Sequence, residues 1–351
     1  MGGAGPRAGG RSRAALANVS LILFGSLVAA LLVEGGLRLR GGAPSRGGAH
    51  EEGLYKMDPE GLFTLRPHHQ LMWPAPELSG TVTINSQGFR GPDPDTLPPG
   101  RRILVLGDSF VFGWGVDDGE TLPARLEAIL NAGSPPGGGV CVLNLGVPGY
   151  GPGREAALLR RRGIPLEPDL VLLVLTESND VLDDLLYERD PLKPAGDRLT
   201  GLAAKSRLLQ FLDWKIRGLS RWFRMTREEN VRRTLKNVSA MAALCDDRGI
   251  PLVAATFPAK VQMEPSGPTA WILERLDVDG RLVQPLRGHL RREQRIAAVV
   301  DLTETLVLSG DGLYFPVDGH PTPRAYEACA MALAPVLARA LPDPTRPAAG
   351  P

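Results

Sequence analysis

Short, continuous apolar runs recur at residues 103–106, 140–145, 170–175, 252–255 and 297–300. Each is too brief for a helix and lacks the alternation of a half-exposed strand, which predicts strands buried on both faces of a parallel sheet. Between them lie segments with helical spacing: 122–130, opened by Asp117, Asp118 and Thr121, then 154–162, 231–245, 282–294 and, last, 324–341. Strands alternating with helices predict a three-layer α/β fold with right-handed crossovers. The sequence contains no internal repeat.

The N-terminal pattern differs. Residues 14–33 form an uncharged, mostly apolar run preceded by Arg7, Arg11 and Arg13. About 20 such residues suffice to cross a bilayer as a helix. A secretory apolar region is shorter and ends at a small-residue cleavage site, whereas this run passes straight into Glu34, Gly35 and Gly36, so an uncleaved anchor is the favoured reading over a signal sequence. Basic residues ahead of the span place the N-terminus in the cytoplasm and the bulk of the chain outside, on the periplasmic side, although Arg38 and Arg40 weaken that asymmetry. The predicted layout is then a leader at 1–13, a membrane anchor at 14–33, a linker at 34–53 and a Pro-rich, β-rich lead-in at 54–100. The main α/β domain at 101–341 and a disordered tail at 342–351 follow. Residues 187–227 interrupt the alternation with Phe211, Trp214, Trp222 and Phe223 among arginines. This insertion reads as a cap, as a membrane-facing helix, or as an amphipathic helix packed on the domain.

Composition narrows the function classes. Of 351 residues, 43% are apolar and 23% charged, enough for a sizeable core. The 40 basic and 39 acidic side chains nearly cancel, which removes nucleic acid from the expected partners. Cys141, Cys245 and Cys329 are too far apart for a disulfide framework or a zinc site, and no metal or cofactor is expected.

The candidate chemistry starts after the first long strand, at Gly107-Asp108-Ser109-Phe110. A serine there sits at the carboxyl edge of a parallel sheet, where open α/β folds bind ligands, and a helix starting beside it turns backbone N–H groups toward its hydroxyl. Serine needs a base to become a nucleophile. Of five histidines, His50, His68 and His69 fall in loop-like segments and His289 in a basic helix with Arg287, Arg291 and Arg292, where a surface position is the expectation. His320 lies in Asp318-Gly319-His320-Pro321, just before the final helix, with an acid two residues away to fix its tautomer. Oxyanion donors are expected after the next two strands, from the backbone at Gly149 and the side chain of Asn179. Gly-x-Gly-x-x-Gly, Gly-Lys-Ser/Thr and Gly-x-Ser-x-Gly are all absent, which argues against dinucleotide binding, a P-loop and an α/β-hydrolase elbow.

Gly107-Asp108-Ser109, Gly149, Asn179 and the Asp318/His320 pair together resemble the ordered blocks of the SGNH/GDSL hydrolases over residues 101–341. The resemblance implies a flavodoxin-like α/β/α fold, Ser109 as nucleophile, His320 as base and Asp318 as orienter. It implies an oxyanion hole of Ser109 N–H, Gly149 N–H and Asn179, with Asp108 in support. The anchor, the lead-in ending at Phe89-Arg90-Gly91, and Gly113-Trp114-Gly115-Val116 resemble a bacterial, extracytoplasmic branch. Two departures stand out. Glu177 occupies a position where the family usually has glycine, and the acid precedes the histidine by two residues, as in alginate-type O-acetyltransferases. The expected function is an esterase acting on an acylated cell-envelope glycan or lipid. The alternatives are an O-acetyltransferase in exopolysaccharide or wall modification, and an inactive scaffold binding glycan or a membrane O-acyltransferase partner.

Overall fold

The computed structural model describes residues 9–39, 53–59, 61–73, 77–96, 100–133, 139–177, 179–186, 206, 208–209, 212, 224, 226–265 and 267–342. Most of the predicted linker, most of the 187–227 insertion and nearly all of the 342–351 tail lie outside these residues. The chain divides into two units, one of residues 1–47 and 193–220, the other of 48–192 and 221–351.

In the first unit, helix α1 runs Gly9–Leu39, continuing past the expected end at Val33. Its stretch Asn18–Leu39 has mean hydropathy 2.0, with none of its best window buried, so it is long and apolar enough to cross a membrane. Glu34 sits on this helix and accepts from Arg38 one turn on at 2.7 Å, and from Ser206 Oγ and the Leu208 N–H at 3.0 and 2.7 Å.

The second unit opens with two antiparallel pairs, β1 (Tyr55–Met57) with β2 (Phe63–Leu65) and β3 (Gln70–Met72) with β4 (Thr81–Thr83). Then comes the main alternation. Strand β5 (Arg101–Gly107) leads into a single turn α2 (Ser109–Phe112), followed by α3 (Leu122–Leu130), β6 (Val140–Gly146), α4 (Pro152–Leu158), β7 (Leu170–Thr176) and α5 (Asp180–Leu186). After the insertion come α6 (Glu228–Asp246), β8 (Leu252–Phe257), α7 (Lys260–Met263), α8 (Gly267–Arg275), α9 (Gln284–Arg292), β9 (Ile296–Asp301), α10 (Thr303–Ser309) and α11 (Pro323–Ala340). Helix α3 starts where the sequence stops it from starting earlier. The Thr121 hydroxyl accepts from Ala124 N–H and Pro123 fills a position whose N–H would have no partner.

The sheet order is β6-β5-β7-β8-β9, all parallel. Counted within the sheet this is 2-1-3-4-5, the flavodoxin-like order, and the chain reverses direction around β5. The apolar runs of β5 to β8 are covered on both faces, whereas the edge strand β9 is only partly covered. Leu104 and Leu106 face one core with α4, α6 and α9; Ile103 and Val105 face the other with α3, α10 and α11. Full burial of each such side chain contributes roughly 1.5 to 3 kcal/mol.

The lead-in joins the first of these cores through Leu54, Phe63, Leu65, Trp73, Val82 and Phe89. Arg90 fastens it further. Its guanidinium, buried to 1% exposure, donates to the carbonyls of Thr81, Phe112, Gly113 and Val116 at 2.5 to 3.1 Å and pairs with Asp118 at 2.8 Å.

Candidate active site

Strand β5 delivers Ser109 to the carboxyl edge of the sheet at the point where the chain reverses. Asp108, fully buried, caps the turn that follows by accepting Phe110 N–H at 2.8 Å, and Gly113 ends it in the left-handed region at φ 87°. This turn rests directly on β6: a Cβ at Gly146 would lie 2.2 Å from the Phe112 nitrogen, so only glycine lets the Ser109 turn sit this deep.

His320 reaches Ser109 from the loop between α10 and α11. Phe315 N–H donates to His320 O at 2.9 Å and Gly319 N–H to Phe315 O at 3.1 Å, folding the loop back on itself. His320 Nε2 then lies 2.8 Å from Ser109 Oγ, and Nδ1 lies 2.5 Å from Asp318 Oδ1. Burial pushes the Asp318 carboxyl up, but the His320 ring and the Trp114 indole outweigh it and hold it below its ordinary value. An ionised Asp318 requires the proton on Nδ1, which leaves the Nε2 lone pair facing the serine hydroxyl. The ring is sandwiched as well: Trp114 stacks on it at 5.7 Å between centroids and Phe110 tilts against it at 5.5 Å. This arrangement is a hydroxyl with a positioned general base and an oriented tautomer.

Gly149 follows β6 at φ 76°, a backbone conformation that suits glycine, with open space where a Cβ would stand. Neither its N–H nor that of Ser109 meets an acceptor among the described residues. Asn179 differs from the sequence expectation. Its side-chain nitrogen donates to Asp108 Oδ2 at 3.0 Å and Asp183 Oδ2 at 2.7 Å, so both amide hydrogens are engaged by carboxylates.

Those carboxylates belong to a buried group that the sequence reading did not single out. Asp108, Glu155, Asp180, Asp183 and Asp184 come together where α4 and α5 meet the end of β5. Asp184 accepts from Gly153 N–H, Thr234 and Asn237, but among the described residues no donor reaches either carboxyl of Glu155 or Asp180. Burial, then the neighbouring acids, raises both well above the carboxylate range. A proton held only by the fold makes stability fall as pH rises, from the unfolded value near 4 up to the raised folded value. The slope is up to about 1.4 kcal/mol per pH unit. The melting temperature is therefore expected to drop as the pH rises above the ordinary carboxylate range, and Asp180→Asn to flatten that drop; a wild-type curve that stays flat there would refute the assignment. Asp318, shifted the other way, adds stability that is lost only below about pH 4.

Glu177 also proves to be structural. It is fully buried, and Arg287 binds it through Nε at 2.5 Å and a terminal nitrogen at 3.0 Å, with Gln262 adding a third bond at 3.0 Å. Arg287 goes on to Asp301 at 2.6 Å and Thr303 at 2.7 Å. The basic helix is thus not a solvated face at this position, and His289 is half-buried with Nε2 2.9 Å from Ser239 Oγ. The three cysteines are free and buried, and burial pushes the Cys141 thiol up to about 11 and Cys245 to about 12.

No family model and no curated protein sequence matches the chain. Solved structures do. The fold is similar to that of GDSL-type lipolytic hydrolases. The lipase/acylhydrolase from Enterococcus faecalis aligns over 70% of this chain and 100% of its own at 16% identity and TM-score 0.41. The psychrotrophic esterase EstA from Pseudoalteromonas sp. aligns over 68% and 98% at 14% identity and TM-score 0.43. A lipolytic protein of the G-D-S-L family from Desulfitobacterium hafniense aligns over 67% and 98% at 14% identity and TM-score 0.40. At these values the likeness concerns the fold, and the chemistry is argued from the side chains.

Proposed function

We propose that the chain is a serine-dependent ester hydrolase of the SGNH/GDSL kind that works through an acyl-Ser109 intermediate. The observation that carries this reading is the unbroken line of contacts from Asp318 through His320 to Ser109. Ser109 Oγ attacks the ester carbonyl while its proton passes to His320 Nε2. The N–H groups of Ser109 and Gly149 receive the oxyanion, and Asn179 joins them by giving up its bond to Asp183. Collapse breaks the acyl C–O bond, and the departing alcohol takes the proton from Nε2. A water molecule, deprotonated by the same nitrogen, then releases the acid and restores Ser109.

The substrate class is an acylated glycan or lipid of the cell envelope, with acetyl as the favoured acyl group. Helix α1 holds the protein in the membrane and the catalytic unit lies on the extracytoplasmic side, as Arg7, Arg11 and Arg13 ahead of the apolar run argue. A second reading is favoured by the short Asp318-Gly319-His320 spacing: an O-acetyltransferase in which a sugar hydroxyl replaces the water. Glu177 is accounted for by Arg287, so that position no longer argues for an inert scaffold.

The expected result is hydrolysis of a chromogenic acetyl ester, together with Ser109-dependent labelling of intact spheroplasts by a fluorophosphonate that cannot cross the inner membrane. Acyl transfer to an oligosaccharide without net hydrolysis would select the transferase. Labelling that needs lysis would overturn the sidedness, and labelling that persists in Ser109→Ala would overturn the nucleophile.

A further inference from the structure

His320 and Asp318 stand on a loop with little cover of its own: Val317, between Pro316 and Asp318, is 83% exposed. A short Asp-x-His spacing also asks much of the backbone, since Asp318 Oδ1 accepts both the His320 ring nitrogen at 2.5 Å and the His320 N–H at 3.2 Å. Side chains from elsewhere hold this loop. Lys260, which opens α7 just beyond β8, donates to the carbonyls of Phe315 at 3.2 Å and Pro316 at 2.7 Å. Trp114 donates its indole N–H to Asp318 and lies at 4.4 Å between ring centroids from Trp73 of the lead-in. Glu77, also in the lead-in, accepts Val317 N–H at 2.6 Å and reaches Asp318 N–H with both oxygens at 3.3 Å.

We propose that Glu77 is a positioning residue of the active site, its carboxylate fixing the backbone of Val317 and Asp318 so that Asp318 meets His320. The lead-in thereby becomes a working part of the catalytic centre. The lead-in segment that follows Glu77 is itself tied down. Ser79 N–H donates to Gly115 O at 3.2 Å, Thr81 N–H to Asp117 at 2.6 Å, and Leu78 packs against Gly115, one residue from Trp114. Glu77 therefore reaches the loop from a fixed base. What it offers is acceptors for two N–H groups. Its negative charge beside Asp318 is not what the loop needs, so an uncharged acceptor of the same length serves equally.

The proposal rests on the triad reading above, and its test separates the two. Full-length wild type, Glu77→Ala and Glu77→Gln are compared for kcat and KM on a chromogenic acetyl ester and for the rate of Ser109 labelling by a fluorophosphonate. Melting temperature and the downfield NMR signal of the His320 Nδ1 proton are followed in the same samples. Misplacing a catalytic group by about 1 Å costs on the order of a hundredfold, so Glu77→Ala is expected to lose about tenfold to a hundredfold in kcat and labelling. KM and melting temperature stay near wild type, and the downfield proton is lost. Glu77→Gln restores the rate to within about threefold and regains the proton. A Glu77→Ala protein that labels at the wild-type rate and keeps the proton overturns the proposal. So does an equal loss in both variants accompanied by a lowered melting temperature. Absence of labelling in the wild type sinks the hydrolase reading, while the His320 proton still decides the role of Glu77.

Discussion

Ser109→Ala and His320→Ala are each expected to abolish turnover of an acetyl ester, with losses of about 10⁴-fold or more in kcat and little change in melting temperature. The two groups act as one device: Nε2 is useful only because Ser109 Oγ lies 2.8 Å away, and that hydroxyl is inert without it. The double variant should therefore be no worse than either single one. Asp318→Asn tests the orienter. An amide in that place can donate to Nδ1, which moves the ring proton to Nε2 and blocks acceptance from serine. The expected cost is about 10³- to 10⁴-fold. Multiplicative losses in the double variant would mean that Ser109 and His320 contribute independently, contrary to the contact between them.

Arg90→Met is expected to have the largest effect on stability. The side chain is almost wholly buried, and its loss takes this donor from the carbonyls of Thr81 and Val116, while Phe112 O keeps only a long bond from Asn144 at 3.3 Å and Gly113 O one from Val116 N–H at 3.4 Å. Breaking a buried ionic hydrogen-bond network of this kind costs about 3 to 5 kcal/mol. For a unit of this size the melting temperature falls by about 10 °C or more. Because Phe112 closes the turn that Ser109 opens and Gly113 and Val116 follow it, ester turnover should fall with it even at temperatures where the variant stays folded. A variant that melts within a degree or two of wild type would show that water or another donor replaces the guanidinium.

How much of this was legible beforehand follows from what kind of atom does the work. The sheet strands stand out because burial of β5 to β8 on both faces demands unbroken apolar runs, and α3 matched residue for residue because Thr121 marks its start in side-chain chemistry. Strands β1 to β3, three residues each, are too short to show a period. Helix α10 carries Val307 and Leu308 on its exposed side, so its apolar spacing misleads. Ser109, His320 and Asp318 could be named because nucleophile, base and orienter each require a particular side chain at a strand end or before a helix. Glu77, Lys260 and Arg90 act on backbone amides and carbonyls, which carry no residue identity, so nothing in the sequence marks their targets. The basic run Arg287, Arg291 and Arg292 points to a surface position for His289, because the partner that draws Arg287 inward, Glu177, lies 110 positions away in the chain. Asn179 was placed in the right region, but its engagement by Asp108 and Asp183 depends on an acidic group gathered from three separate elements.

Ser109 and His320 are separated by 211 positions, with four of the five sheet strands made between them. A polypeptide emerging N-terminus first, whether from a ribosome or through a membrane pore, therefore carries an ordinary alcohol at position 109 until nearly all of the chain has passed. On the proposed mechanism, the Ser109 hydroxyl gains its base only when the loop before the last helix docks against the end of the first sheet strand.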